Sequence, residues 1–501
     1  MKKILIFLLI AQITVSCSKK HFNIDNPNYP IAKEVLADAN DFKNYNISNH
    51  NSLFQAQVSL SGVFFRGLSD QFTTTNAYLG FWTFTDEPRR SLPNSTANDD
   101  LPYQMGYPWG KFNEIINNAN IIQKTIESDG LVINDDNTTK NELAGSYFDK
   151  GVAQGYLSMI YDKAFVVNYD TDVNNLQFKS YTEVLDAAIQ NITKAIDLAN
   201  QVNSFQYQIY KDGPILDKNE FIKLANAYMA RFSIAIARSD AEAANLDYNQ
   251  ILNYANNAID ADFWPPSKEN VFYNNLQDWS LYMLSDGSGY MPTDIKIQHL
   301  FDPNYPVEYP TQSGVVLPPA NSNDPRLTDY YEYVGGNFGY LRESRGRHLF
   351  SSYRHIRFWD MNWENRDGLQ VQIFPKAEID YIKAECYYRM GDYAQAVAIL
   401  DQSPRMTVGG QSTTPAKDNV RNALFYEYSI ELDLNSGMAV NWAFMRRHDL
   451  LQRGTAIHYP VPASELEVVQ HPIYTFGGDA NADQDGTSDG SNSWKVINLV
   501  Y

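Results

Sequence analysis

The sequence predicts a mainly α-helical protein. Degenerate tetratricopeptide-type helix pairs form a right-handed α-superhelical scaffold, and a loop-rich second lobe folds onto it. Three observations carry this expectation. Apolar residues recur at helical spacing through most of the chain. Four helix–turn–helix units recur as a near-repeat. Between the second and third units, residues 262–375 lose the helical period and become rich in Pro, Gly and aromatics.

The pattern turns helical from about Ile31. "SLFQAQVSLSGVFFRGL" spaces Leu53, Val58, Val63 and Leu68 as a buried stripe. "WGKFNEIINNANIIQKTIE" puts Phe112, Ile115, Ile116, Ala119, Ile122 and Ile126 on one face, and Trp109 at its start reads as core. Residues 76–108, between these stretches, hold Gly, Pro, Asn, Asp and aromatics without period. A loop of that length is uncommon unless it is functional.

The repeat units follow. "NELAGSYFDKGVAQGYLSMIYD" pairs with "YTEVLDAAIQNITKAIDLA", and "NEFIKLANAYMARFSIAIAR" with "YNQILNYANNAID". "AEIDYIKAECYYRMG" pairs with "YAQAVAILDQ", and "KDNVRNALFYEYSIELDL" with "GMAVNWAFMRRHDLL". Tyr181, Tyr248 and Tyr393 open second helices. In the third unit Ala384, Tyr387, Gly391, Tyr393, Ala396 and Leu400 fall where a tetratricopeptide repeat places its small and aromatic packing residues. Ala384 and Ala396 let two helices approach, and Gly391 closes the turn between them.

Composition narrows the function classes. The formal net charge is −19, from 40 basic and 59 acidic residues. A field of that sign repels phosphate backbones, so no nucleic-acid partner is expected. Aromatics make up 14 % of the chain, with 34 Tyr and 8 Trp. Such residues serve a core or a wet, amphipathic binding face. The chain has no His-Glu-x-x-His, Walker A or Gly-x-Ser-x-Gly motif, and "GGNFG" at 335–339 lacks dinucleotide-binding spacing. No enzymatic activity is expected.

The N-terminus has a secretory layout. Lys2 and Lys3 precede an apolar run from Ile4 to Ile10, and small residues lead to Cys17. Ser16 followed by Cys17 resembles a bacterial lipobox, with Thr14 in place of the usual Leu. That resemblance implies cleavage before Cys17 and lipidation of its thiol. More than one acyl chain makes such an anchor stable. The expected organisation is a lipoprotein signal peptide at 1–16, a polar tether at 17–30 and a single domain at 31–501. The helix-pair repeats lie at about 142–260 and 376–452, and the loop-rich insertion at about 262–375. The other cysteine, Cys386, then has no disulfide partner and reads as a buried structural thiol.

The order of these features resembles the SusD/RagB family of outer-membrane nutrient-binding lipoproteins. "FNIDNPNYP" is similar to that family's opening after the anchor. "WGKFNEIINNANIIQ" is similar to its early helix, and "FPKAEIDYIKAECYYRMGDYAQAVAIL" to its late repeat. The resemblance implies an outer-membrane, lipid-anchored protein facing the cell surface. Such a protein captures oligosaccharide and delivers it to a SusC-like TonB-dependent transporter, without catalysis and with no required cofactor. A peptide-binding nutrient lipoprotein of the same family and a repeat-based surface scaffold or adhesion protein are the alternatives.

Sugar binding needs aromatic platforms for apolar ring faces and planar polar groups for hydroxyls. The two aperiodic regions supply both. In the first, Phe81, Trp82, Asp86, Arg89, Arg90 and Asn94 cluster in sequence; in the second, Trp279, Tyr282, Asp286 and Tyr290 do. The ligand-binding candidates are Trp82, Arg89, Asn94, Trp279, Tyr282 and Tyr290. The family resemblance implies a ligand site where two such loops meet. The stretch 342–357 is locally basic, which suits either an anionic glycan or solvated charges that neutralise nearby acids. "DANADQDGTSDG" alternates Asp479, Asn481, Asp483, Asp485 and Asp489, oxygen ligands that could hold Ca2+ around a Gly turn, although no Glu closes the set.

Overall fold

The computed structural model describes residues 38–96, 102–276, 291–312, 315–335, 352–359 and 367–500. Cys17, Trp279, Tyr282 and Tyr290 lie outside the described residues. The chain divides into a short unit, residues 1–45, and a large one, residues 46–501. The packing below is that of the large unit.

Its helices begin with α1 (Ala39–Gln57, from Asn46 onward), α2 (Ser61–Leu68), α3 (Phe81–Thr85), α4 (Pro102–Gln123) and α5 (Asp136–Ile160). Then come α6 (Tyr181–Gln201), α7 (Lys218–Ala235), α8 (Asp240–Ala243), α9 (Tyr248–Asn256), α10 (Ile295–Phe301) and α11 (Arg326–Asp329). The chain closes with α12 (Lys376–Arg389), α13 (Tyr393–Leu400), α14 (Pro404–Thr407), α15 (Lys417–Ile430), α16 (Val440–Arg447) and α17 (Ala463–Val468). Three antiparallel two-stranded ribbons complete the described structure. They are β1 (Lys163–Phe165) with β2 (Phe178–Ser180), β3 (Tyr207–Gln208) with β4 (Ile215–Leu216), and β5 (Tyr331–Tyr333) with β6 (Tyr353–His355).

The helix starts are written locally. Ser180 and Glu183 form a reciprocal capping box at α6, and Asp217 and Glu220 form another at α7. The side chains of Asp135, Asp247 and Asp392 accept backbone N–H bonds at the starts of α5, α9 and α13. Gly391 takes φ +83° in the turn between α12 and α13, a conformation that excludes most side chains.

Packing runs in sequence order. Helix α5 packs on α6, α7 on α9, α12 on α13 and α15 on α16, so the four predicted helix pairs all form. Contacts of α6 with α7, of α9 with α12 and of α12 with α15 join one pair to the next. Close approach depends on small residues. A Cβ on Gly155 would stand 2.2 Å from the Phe232 ring, where α5 meets α7. Phe112 stacks on Tyr156 at 5.0 Å, and Trp109 is buried against Tyr161, as a core residue should be.

Buried bidentate ion pairs fix the register between pairs. Arg231 on α7 donates through Nε and Nη2 to Glu378 on α12, both at 2.7 Å. Arg447 on α16 donates to Glu385 on α12 at 2.8 and 2.7 Å, and His448 Nε2 lies 2.8 Å from the same carboxylate. Cys386, next to Glu385, is fully buried, and burial pushes its thiol pKa up.

The loop-rich stretch leaves and returns at one point. Phe263 N–H donates to Phe374 O at 2.8 Å, and Phe374 N–H donates back at 3.2 Å. Its described elements are α10, α11 and the β5–β6 ribbon. No described helix is long and apolar enough to cross a membrane.

Candidate functional site

The described surface carries two similar arrangements, each an indole covered by a guanidinium that is itself paired with a carboxylate. The first grows from α3. Leu79 and Gly80 take φ values of +47° and +69°, and the chain then enters a five-residue helix. Phe81 and Phe84, three apart, share one face and bury against Phe64 at 5.3 and 4.8 Å. Trp82, one position along, is left half-buried. The Arg90 guanidinium sits over its ring at 3.9 Å, and Arg90 Nε donates to Asp86 Oδ2 at 2.5 Å.

The second arrangement is built on the β5–β6 ribbon. Glu332 and Arg354 are directly opposed across the strands. Arg354 Nε donates to Glu332 Oε2 at 2.7 Å, and its guanidinium stands 4.8 Å from the centre of the Trp359 ring. Trp359 is 37 % exposed, among the most open large aromatics described. Beside it, Arg357 covers Tyr330 at 4.0 Å and donates to Glu431 Oε1 at 2.5 Å.

The other sequence-derived candidates have inward tasks. Arg89 is 4 % exposed, donates to Phe84 O at the end of α3 and forms an ion pair with Asp70. Burial opposes its charge, but Asp70, Glu87 and Asp294 outweigh that effect and raise its pKa. Asn94 donates to Val461 O and Tyr474 O at 2.9 and 2.8 Å and accepts from Ala463 N–H at 2.8 Å. Both residues hold the loop that presents Trp82.

In the acidic loop, Asp479 and Asp483 lie 3.2 and 3.6 Å from Arg453. Asn481 donates to Ser91 Oγ and Gly477 O. Asp489 accepts from Ser491 N–H and Oγ, bonds that lower its pKa, while Asp485 is exposed. Among the described residues no three His, Cys, Asp or Glu side chains converge as metal ligands.

Trp359 escapes the sequence reading, which weighs its neighbours Arg354 and Arg357 only as part of a basic run. The usable signal is "YRHIRFWD", a strand-like stretch that ends in adjacent aromatics. In the structure both arginines are neutralised by carboxylates, as a set of charges balancing nearby acids would be.

The described residues thus combine helix pairs, a loop-rich lobe and two partly open indoles. The fold is similar to that of solved SusD superfamily proteins. No protein-family model and no curated protein sequence matches the chain. Solved structures do. A SusD superfamily protein from Bacteroides vulgatus is 15 % identical, with a TM-score of 0.58 over 86 % of this chain and 97 % of its own. A SusD homologue from Bacteroides thetaiotaomicron is 13 % identical, with a TM-score of 0.61 over 87 % and 97 %. A structure with xylogluco-oligosaccharide is 11 % identical, with a TM-score of 0.53 over 81 % and 82 %. At these identities the likeness is one of fold.

Proposed function

We propose that the chain is a cell-surface glycan-binding lipoprotein that captures oligosaccharide and delivers it, without catalysis, to a SusC-like TonB-dependent transporter. The observation that carries this reading is the pair of indole stations, Trp82 under Arg90 and Trp359 under Arg354, on a fold shared with a protein solved with xylogluco-oligosaccharide. An exposed cation–π contact is worth about 0.5–1 kcal/mol. A sugar ring can therefore displace the guanidinium at small cost and stack on the indole in its place. The displaced arginine keeps its carboxylate partner, and the pair offers both donors and acceptors to hydroxyls. Because each arginine is already neutralised, the stations suit neutral glycans better than acidic ones.

Affinity electrophoresis against a panel of neutral and acidic polysaccharides tests the reading. Retardation by a neutral glycan, reduced several-fold in Trp82→Ala and in Trp359→Ala, is expected. No retardation by any glycan removes the proposal, and retention unchanged in both variants removes the stations. Anchoring through Cys17 and partnership with the transporter are separate parts of the proposal. Intact-mass measurement of the mature N-terminus tests the first, and co-purification from outer membranes tests the second.

A further inference from the structure

A cavity of about 460 Å³ opens between the end of α7, α16 and the loop 482–491. Its floor holds two arginines, Arg238 and Arg446, 2 % and 1 % exposed. Burying a cation is costly unless an anion faces it. Their guanidinium groups donate to backbone carbonyls and lie over aromatic rings, Arg238 over Tyr181 at 4.4 Å and Arg446 over Trp442 at 4.5 Å, while the Arg238 backbone N–H donates to Glu242 Oε2 at 2.8 Å. Arg238 donates to Ser158, Met159 and Tyr161 O at the end of α5. Arg446 donates to Ala235 and Ala237 O at the end of α7 and to Ile457 O.

The negative ends of two helix dipoles offset part of the charge, but this capping leaves donors over. A guanidinium has five N–H groups. Arg238 Nε has no hydrogen-bond partner, and neither ring nitrogen of His458, whose pKa burial and the two arginines lower, has one. Burial also pulls Arg238 down to about 10, against Tyr181, Glu242 and Asp162; burial together with Arg238 and Arg447 pulls Arg446 well below its ordinary value, against Glu242 and Tyr181. The same cavity is also lined by Asp449, Asp483, Asp485 and Asp489. A volume of this size takes a ligand of one or two sugar or amino-acid residues.

We propose that this cavity binds the carboxylate of a small ligand, a uronic acid or a peptide C-terminus, on Arg238 and Arg446, while the acids of the 482–491 loop read its far end. The far end tells the two sources apart. The ammonium of a short peptide is attracted by the acidic rim, whereas the hydroxyls of a uronic acid gain nothing from its charge. The site is distinct from the indole stations.

Calorimetric titration of the full chain with glucuronate, glucose, dialanine and dialanine amide tests it. Saturable binding of glucuronate but not glucose identifies the uronic acid. Saturable binding of dialanine but not its amide identifies the peptide terminus. Binding of neither carboxylate, or equal binding of a carboxylate and its neutral counterpart, overturns the proposal. Asp485→Lys, on the exposed rim, should tighten glucuronate and weaken dialanine several-fold. Arg446→Lys should weaken either ligand tenfold or more. If Arg446→Lys does not fold, Asp485→Lys decides alone, and affinity unchanged there overturns the proposal. Trp82→Ala and Trp359→Ala should leave this binding unchanged, which separates its failure from that of glycan binding.

Discussion

His355, on β6, makes the interior of the protein a sensor of acid. Its ring is 2 % exposed, edge-on to Tyr331 at 5.2 Å, and neither ring nitrogen has a hydrogen-bond partner. Burial lowers its pKa to about 3; Asp433 opposes the shift, and Arg66 and Arg357 add to it. A folded-state pKa below the unfolded value of about 6.5 sets the sign. The stability is present above pH 6.5 and is lost as pH falls from there towards 3. At pH 5 the unfolded imidazole is almost fully protonated and the folded one is not. The linkage at one and a half pH units below 6.5 costs about 2 kcal/mol relative to pH 7. His355→Phe keeps the ring and removes the titration. Urea unfolding of both proteins at pH 7 and pH 5 should show the native chain losing about 2 kcal/mol more than the variant. Equal losses in the two proteins would refute a buried, neutral His355.

Other perturbations have equally definite outcomes. Glu385→Ala should cost about 3–5 kcal/mol in denaturant unfolding, because Arg447 and His448 lose their buried partner. The pair Glu385→Leu with Arg447→Met should recover much of that loss, and a double variant as unstable as the single would contradict it. Gly155→Ala should destabilise by about 1–3 kcal/mol through overpacking on Phe232, read from the urea midpoint. If Arg453 keeps Asp479 and Asp483, calcium should leave the thermal midpoint unchanged; a rise that depends on calcium concentration would instead show that the acidic loop binds the ion.

The helix pairs were legible because their signals are local. Apolar spacing, Asp and Ser caps and the Tyr that opens a second helix act within a few residues of one another, as at Ser180–Glu183 and Asp217–Glu220. Trp109 and Cys386 also read correctly as core, and each lies within a helix. The loops were harder. In the 81–94 stretch Trp82, Arg89 and Asn94 look alike in sequence, as polar or aromatic residues outside any period. Arg89 finds Asp70, and Asn94 finds the carbonyls of Val461 and Tyr474, 367 and 380 residues away. Only Trp82 keeps a half-open ring.

The Trp359 station joins Glu332 and Arg354, 22 positions apart on two strands, and the cavity lined by Arg238 and Arg446 joins the end of α7, α16 and the 482–491 loop. By itself the sequence determined the helical class, the order of the pairs and the aromatic supply. The tertiary structure alone decided which arginine covers a ring, which pairs with a carboxylate and which caps the end of a helix. Helix formation depends on neighbours three or four residues apart, whereas charge pairing depends on whichever groups the packed chain brings within a few ångströms.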